Sequence, residues 1–457
     1  MRPAQLQVIA EPRLTGVDLA LLVVFFLGIY LGVSVSITDK IPFPAAPAGV
    51  AGIILLWRRR DQVPAQHLAA LFMIVLLYLA ASLCATNVAN LPKRFTGLVQ
   101  LTYSLVVSYA MFMTLLQASR KQLATLFMSF TLFILIGSLL ESHAGLNVIS
   151  DAVRQKIYDS GVYDSDLRDQ LLYGKVRPKL FTSEPSAVTF GFTLFSFAWF
   201  MVSEHRRKLL IFLGLLAVSL VATPGPTLML AVLLLPPYYY FVLPSTPLGR
   251  FGAGYRLGIL IAGALTLMIF AVVGSTLYAE RLGDIMRGND PSFFYRVIGP
   301  ALVAIEVVQH YPWAGSGLTG ENAIADLVMN VFVSSSQFSA GWRISKISDV
   351  LTNYFWLHWI YLGFVWGVFA LLGLTLWLRS LGVPNILFCW IVWIVFGQAS
   401  GAYVSPKTWV VLLLAAALTM LHQRVALPQA DPFPEPALQR RLRLSRALRP
   451  SRPLLQP

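Results

Sequence analysis

Long apolar runs recur along almost the whole chain, many of them close to or above the roughly 18–20 residues that a helix needs to cross a bilayer. This feature restricts the fold more than any other. In hydrocarbon no water is available to satisfy backbone N–H and C=O groups, so a chain that spans repeatedly in such runs must do so as helices. The composition agrees: 57% of residues are hydrophobic and mean hydropathy is +0.68. Only 12% are charged, against about 25% in soluble proteins. The expected fold is an all-α polytopic membrane protein with about twelve transmembrane helices. The expected spans are 17–37, 42–57, 66–86, 98–116, 122–141, 185–203, 209–222, 226–243, 257–278, 354–378, 384–401 and 405–422. The second, seventh and eighth are short or interrupted by proline. Residues 1–16 are polar, and the run from Val17 is too long for a signal core, so no cleavable signal peptide is expected.

The formal net charge is +14, and its placement sets the orientation. With the N-terminus in the cytoplasm, more than half of the 35 lysines and arginines fall on the cytoplasmic side, as the positive-inside rule requires. They include "WRRRDQ", "SRKQ", "EHRRK", Arg379 and the tail. An even number of spans then returns the C-terminus to the cytoplasm. Residues 1–422 form one transmembrane domain and 423–457 a basic cytoplasmic tail. The tail stretch "LQRRLRLSRALRPSRP" suits anionic lipid headgroups. No aromatic residues interleave with its arginines to stack on bases, which argues against a nucleic-acid partner.

Cys84 and Cys389 each lie in an apolar run and read as small core residues. No phosphate-binding glycine loop, metal-ligand set or serine-nucleophile elbow is present, so neither a metal nor another cofactor is expected.

Polar side chains concentrate in two long segments on the non-cytoplasmic side, 142–184 and 279–353. The first carries apolar residues at helical spacing, which predicts one or two surface helices. The second contains a predicted short helix over 300–308, stopped by Tyr311-Pro312 and the glycines beyond. "KVRPKLFTSEPS" leads into the sixth span. Ser183 or Glu184 can cap that helix and Pro185 suits its first turn. Arg177 and Lys179 lie just upstream, where a helix N-terminus and two cations favour an anion; snorkelling to lipid headgroups is the alternative. Arg296, set among Phe293, Phe294, Tyr295 and Val297, must find an ion-pair partner or a phosphate-bearing ligand. His310 is either a hydroxyl or phosphate contact or a structural donor. Arg343 and Lys346, three residues apart, can share one helical face as a second clamp or lie on the membrane surface. Asn353 reads as the cap of the tenth span. His358, inside that span, is either a functional group or a buried, hydrogen-bonded one.

Taken in order, "R…EPS" entering a span, Arg296 followed by "HYPWAGSG" at His310–Gly317, and Thr352-Asn353 followed by Gly363 and Gly367 resemble the bacterial O-antigen polymerase and O-antigen ligase superfamily over roughly residues 66–420. The resemblance implies a helical glycosyltransferase of the GT-C type. It would work without metal or nucleotide, at the periplasmic face of the inner membrane. Its partners would be undecaprenyl-pyrophosphate-linked oligosaccharide, the surrounding lipids and a chain-length regulator. Ligases of this family carry a His-Asn pair where this chain has Thr352-Asn353, which favours the polymerase branch. On this resemblance Arg296 and Arg177 contact the pyrophosphate and Glu184 serves as base. Lys179, Arg343 and Lys346 give secondary phosphate contacts, and His310, Asn353 and His358 bind or orient the substrate. Glycan ligation and flipping of lipid-linked sugars are the competing functions. A flippase would be expected to show two related halves and polar groups near the bilayer midplane.

Overall fold

The computed structural model describes residues 13–38, 41–158, 163, 166–243, 293–336, 347 and 350–426, and the single residues 258, 261, 263, 268, 283 and 290. Among them the protein is a helical bundle. Its helices are α1 (Gly16–Leu31), α2 (Ala46–Arg58), α3 (Ala65–Cys84), α4 (Leu91–Leu115), α5 (Arg120–His143), α6 (Leu146–Ile157), α7 (Asp166–Tyr173), α8 (Pro185–Val202), α9 (Lys208–Ala222) and α10 (Thr227–Leu233). After residue 293 follow α11 (Gly299–His310), α12 (Ala325–Val333), α13 (Tyr354–Ser380), α14 (Ile386–Gly397) and α15 (Pro406–Ala426). Among the described residues, five helices are long and apolar enough to cross a membrane: α3, α4 with the turn before it, α5, α8 and α13. Five shorter apolar helices accompany them. The expected span 257–278 lies, apart from single residues, outside the described residues.

Several expected spans are shorter than the sequence suggests: 42–57 starts only at Ala46, 226–243 begins as the short helix Thr227–Leu233, and 384–401 is Ile386–Gly397. Instead of running to residue 37, α1 stops at Leu31, where Gly32 takes the left-handed conformation (φ 69°). The residues beyond alternate apolar and polar, and Val35–Thr38 pairs antiparallel with Ile41–Phe43 as a small hairpin. Alternating β-branched residues with prolines after them suit an extended edge better than a helix.

At the centre lies α8. It is apolar all round, and 94% of it is buried, as expected of a helix surrounded by others. It packs against α1, α5, α9, α10 and α15, and α15 packs in turn on α4 and α14. Side-chain bonds tie the basic segments together at one end of the bundle. Arg58 and Arg59 pair with Asp18, and Arg59 also reaches Thr114 and Gln117. Arg120 bonds Val202 O and Glu204, and Lys208 bonds the Tyr238 hydroxyl, whose ring meets His422. The described parts of 142–184 and 279–353 meet at the opposite end, where Arg296 faces Glu184.

The "HYPWAGSG" stretch has a structural task. Inside α13 the backbone breaks at Gly363 (φ 64°, ψ −167°), which strands the carbonyls before the break and the N–H groups after it. Residues 312–317 take them up. Ser316 N donates to Ile360 O and Gly317 N to Tyr361 O, both at 2.9 Å. Phe364 N and Val365 N donate to Pro312 O at 2.8 and 2.9 Å, and Trp366 N to Trp313 O at 3.2 Å. Gly315 and Gly363 have left-handed φ and lie against each other's backbone. A Cβ on Gly315 would stand 2.3 Å from Ile360 O, and one on Gly363 2.7 Å from Tyr311 O. Arg94, fully buried, locks the loop from behind. Its guanidinium donates to Ser316 O (3.1 Å), Ala85 O (3.0 Å) and Thr86 O. Either Gly315→Ala or Gly363→Ala should therefore lower the yield of folded protein and its melting temperature in detergent. The left-handed backbone alone costs a residue with a Cβ about 1–2 kcal/mol, and the close approaches add to that. Gly214→Ala, where a Cβ meets nothing within 4 Å, should leave both unchanged.

Candidate functional site

The approach to α8 is built by the segment before it. Glu141, at the end of α5, accepts the N–H groups of Lys179 (2.9 Å) and Leu180 (2.6 Å). Phe181 N donates to Ser150 Oγ at 3.0 Å. Arg154, from α6, donates to the carbonyls of Thr182 (2.7 Å) and Ser183 (3.0 Å). These bonds hold Leu180 (φ 34°) and Phe181 (φ 63°) in a left-handed conformation that costs about 1–3 kcal/mol per residue unless the surroundings enforce it. The result is a rigid delivery of Glu184 to the start of α8.

Glu184 occupies the N-cap position of α8, yet its side chain makes no capping hydrogen bond. One carboxylate oxygen accepts the Ser186 hydroxyl, and the other lies 4.0 Å from the Arg296 guanidinium. Both side chains are partly open, 47% and 37% exposed. Arg296 sits on a π-helical turn, Phe294–Ile298, a geometry often found at functional sites. Asn353 anchors that turn. Its Nδ2 donates to Arg296 O (3.0 Å) and Gln398 Oε1 (2.9 Å). Its Oδ1 accepts from Phe355 N (3.1 Å) and Trp356 N (3.3 Å), which caps α13. Asn353 is thus a positioning residue whose amide is fully engaged, not a substrate contact.

A residue that the sequence reading passed over completes the group. Lys407, on the first turn of α15, lies with its ammonium 3.9 Å from the centre of the Phe190 ring of α8. It is within electrostatic reach of both Glu184 and Arg296. The starts of α8, α13 and α15 therefore meet around two cations and one carboxylate. Its signal was present as "SPKTW", a proline and a cation opening a helix at the same end as "SEPS".

The remaining expected contacts are placed elsewhere. Arg177, expected at a pyrophosphate, is spent on the buried Asp169. Its Nε and Nη2 lie 2.8 Å from that carboxylate, and its backbone N donates to it as well. The Tyr163 hydroxyl donates to the same carboxylate at 2.8 Å. Burial, and then the neighbouring Asp169, push the Tyr163 phenol above its ordinary range, so it stays protonated for this task. Lys179 is buried and bound to Asp166 at 2.9 Å. A buried cation needs such a partner, so neither side chain is available as an anion clamp. Both line a cavity of about 400 Å³ together with Glu141, Asp151 and Asp166. His310 is the last residue of α11, about 18 Å of helix rise from the Arg296 turn. There it bonds Glu306 O at 2.9 Å beside a separate cavity of about 590 Å³, so it does not join Glu184 and Arg296. His358 is buried with both ring nitrogens engaged. Gly367 O, at 3.1 Å, can only accept, so Nε2 carries the proton and Nδ1 accepts from the Tyr403 hydroxyl at 2.9 Å. That makes His358 a structural histidine, with no nitrogen left for a substrate. Arg343 and Lys346 lie outside the described residues.

Among the described residues, no group of three or more His, Cys, Asp or Glu side chains is placed to hold a metal. Protein-family models give no match to this chain, and curated proteins give none.

If Arg177 and Asp169 act as one unit, Arg177→Gln and Asp169→Asn should lower the melting temperature by similar amounts. The double variant should be little worse than either. A thermal double-mutant cycle should return a coupling of about 0.5–3 kcal/mol; additive losses would mean that the two residues act separately.

Proposed function

We propose that the protein is a polysaccharide polymerase of the GT-C type with about twelve spans. On this reading it joins undecaprenyl-pyrophosphate-linked repeat units of an O-antigen, capsule or exopolysaccharide at the periplasmic face of the inner membrane. The observation that carries the reading is the meeting of Arg296, Lys407 and Glu184 at three helix starts, at the end of the bundle where the two long segments come together. Helix N-termini and two cations favour a diphosphate. A carboxylate not used as a cap suits proton removal. The order of motifs, from "EPS" through Arg296 to Asn353, supports the same class by resemblance.

The chemistry then follows from charge. The pyrophosphate oxygens of the donor take over Arg296 and Lys407, which releases the Glu184 carboxylate from its 4.0 Å contact with Arg296. A hydroxyl oxygen of the acceptor glycan attacks the anomeric carbon of the donor sugar from the opposite side. The bond from that carbon to the pyrophosphate oxygen breaks, and its electron pair leaves with undecaprenyl pyrophosphate. The hydroxyl proton passes to Glu184. Arg296 and Lys407 stabilise the negative charge that grows on the leaving group, where preorganised cations contribute most. Asn353 acts at one remove, by holding the backbone of Arg296.

Purified protein mixed with a lipid-linked repeat unit tests the assignment. Longer lipid-linked chains are expected. Transfer to lipid A core or to protein would make it a ligase, and unchanged substrate crossing a vesicle wall would make it a flippase. Arg296→Ala and Lys407→Ala should each slow chain growth by about 10²–10³-fold, the usual loss for one charge-stabilising group, with membrane insertion intact. Glu184→Gln should slow it by about 10²–10⁴-fold. Wild-type polymer lengths from Arg296→Ala would remove that residue from the site.

A further inference from the structure

At the opposite, basic end of the bundle a groove of about 530 Å³ runs between α1 and α5. Both helices begin there, capped by Thr15 and Ser119, so they run in the same direction. The groove has two chemically distinct halves. Its mouth holds Arg13 and Lys121, both exposed, and among the described residues no carboxylate lines it. Its deeper wall is Leu19, Val23 and Leu126. From Lys121 to Ser129 the wall descends eight residues of α5, about 12 Å of helix rise. Thr125 adds to the apolar character, because its hydroxyl is turned back onto Lys121 O at 3.0 Å. Gln122 fixes the rim by donating to Leu14 O (3.2 Å) and accepting from Leu14 N (3.1 Å).

Two exposed cations at one groove mouth favour an anion, and an apolar trough directly below them favours a hydrocarbon chain. Both lie at the edge of a membrane bundle, where one molecule supplies the two parts together. We propose that this groove is a binding site for one anionic phospholipid. Arg13 and Lys121 hold the headgroup phosphate, and Leu19, Val23 and Leu126 receive the first carbons of an acyl chain. The site is independent of the group at Glu184 and does not rest on the proposed transfer reaction.

The test uses the full-length protein purified in a neutral detergent. Its melting temperature is followed as phosphatidylglycerol, phosphatidylcholine or inorganic phosphate is added. Phosphatidylglycerol is expected to raise the melting temperature by several degrees, since a ligand bound only by the folded state stabilises it; the other two should not. Arg13→Gln with Lys121→Gln should lose most of that rise. Arg206→Gln with Arg207→Gln removes two exposed arginines outside the groove at the same end and should keep it. Val23→Trp leaves both charges in place, fills the apolar half, and should also lose the rise. The proposal is overturned if both charge-removed variants respond alike, which would mean diffuse attraction to a charged leaflet. Inorganic phosphate giving the full rise would also overturn it, by making the site one for a free anion. So would an unchanged rise in Val23→Trp, because no acyl chain would then occupy the trough.

Discussion

A helix interrupted among apolar neighbours must pass its freed backbone groups to another part of the chain, since no water is there to take them. The rest of this structure depends on how α13 meets that requirement. The break at Gly363 releases carbonyls on one side and N–H groups on the other, and residues 312–317 satisfy both sets. The splice fixes the chain at the end of α11, while the start of that region is fixed by Asn353, which caps α13 nearly three turns before the break (about 3.6 residues per turn) and holds Arg296 O. The Arg296 turn and α11 are thereby tied at both ends to one helix. A site carried by a long connection gains the rigidity of the bundle in this way.

The charged side chains on this end of the molecule divide by solvation. Arg154, Lys179 and Asp169 are almost wholly buried, and a buried charge that lost its partner would cost several kcal/mol. Those ions are permanent structure: they hold residues 177–184 in a strained path. Arg296 stands at a partly open place, 4.0 Å from one equally open carboxylate, and among the described residues Lys407 has the face of an aromatic ring for company instead of a paired acid. Exchanging such partners for a ligand anion costs much less than breaking a buried pair. The physical difference between clamp and scaffold is therefore exposure and quality of pairing, not the kind of side chain.

That distinction explains what could be read from the sequence. Hydropathy gave the all-α, membrane-type bundle, because that depends on composition over many residues. The cap at Asn353 was legible from its position alone. The fate of Arg177 was not. Its partner Asp169 lies eight residues upstream in a charged stretch where several acids are equally plausible by spacing. His358 was undecidable for a related reason, since Tyr403 and Gly367 O reach it through tertiary packing and a helix break. The hairpin at Val35–Phe43 was masked by the apolar runs on either side of it. Lys407 was missed because a single lysine at a helix start reads as an ordinary membrane-boundary residue.

Glu184 gives the clearest sign that this arrangement serves more than stability. An acidic side chain at an N-cap ordinarily bonds the free N–H groups of the first turn, which is worth about 1 kcal/mol. Here the cap position is filled and the bond is not made. The carboxylate turns instead to the Ser186 hydroxyl and toward Arg296, although the helix start it leaves would itself attract a negative charge. Two bonds from Glu141 and two from Arg154 hold the preceding residues, so the path of the chain does not require this choice. A local gain is forgone and the acid is left facing two cations at the mouth of three helices. In a helix otherwise packed for stability along its whole length, such a departure is expected where a side chain has a task outside the fold.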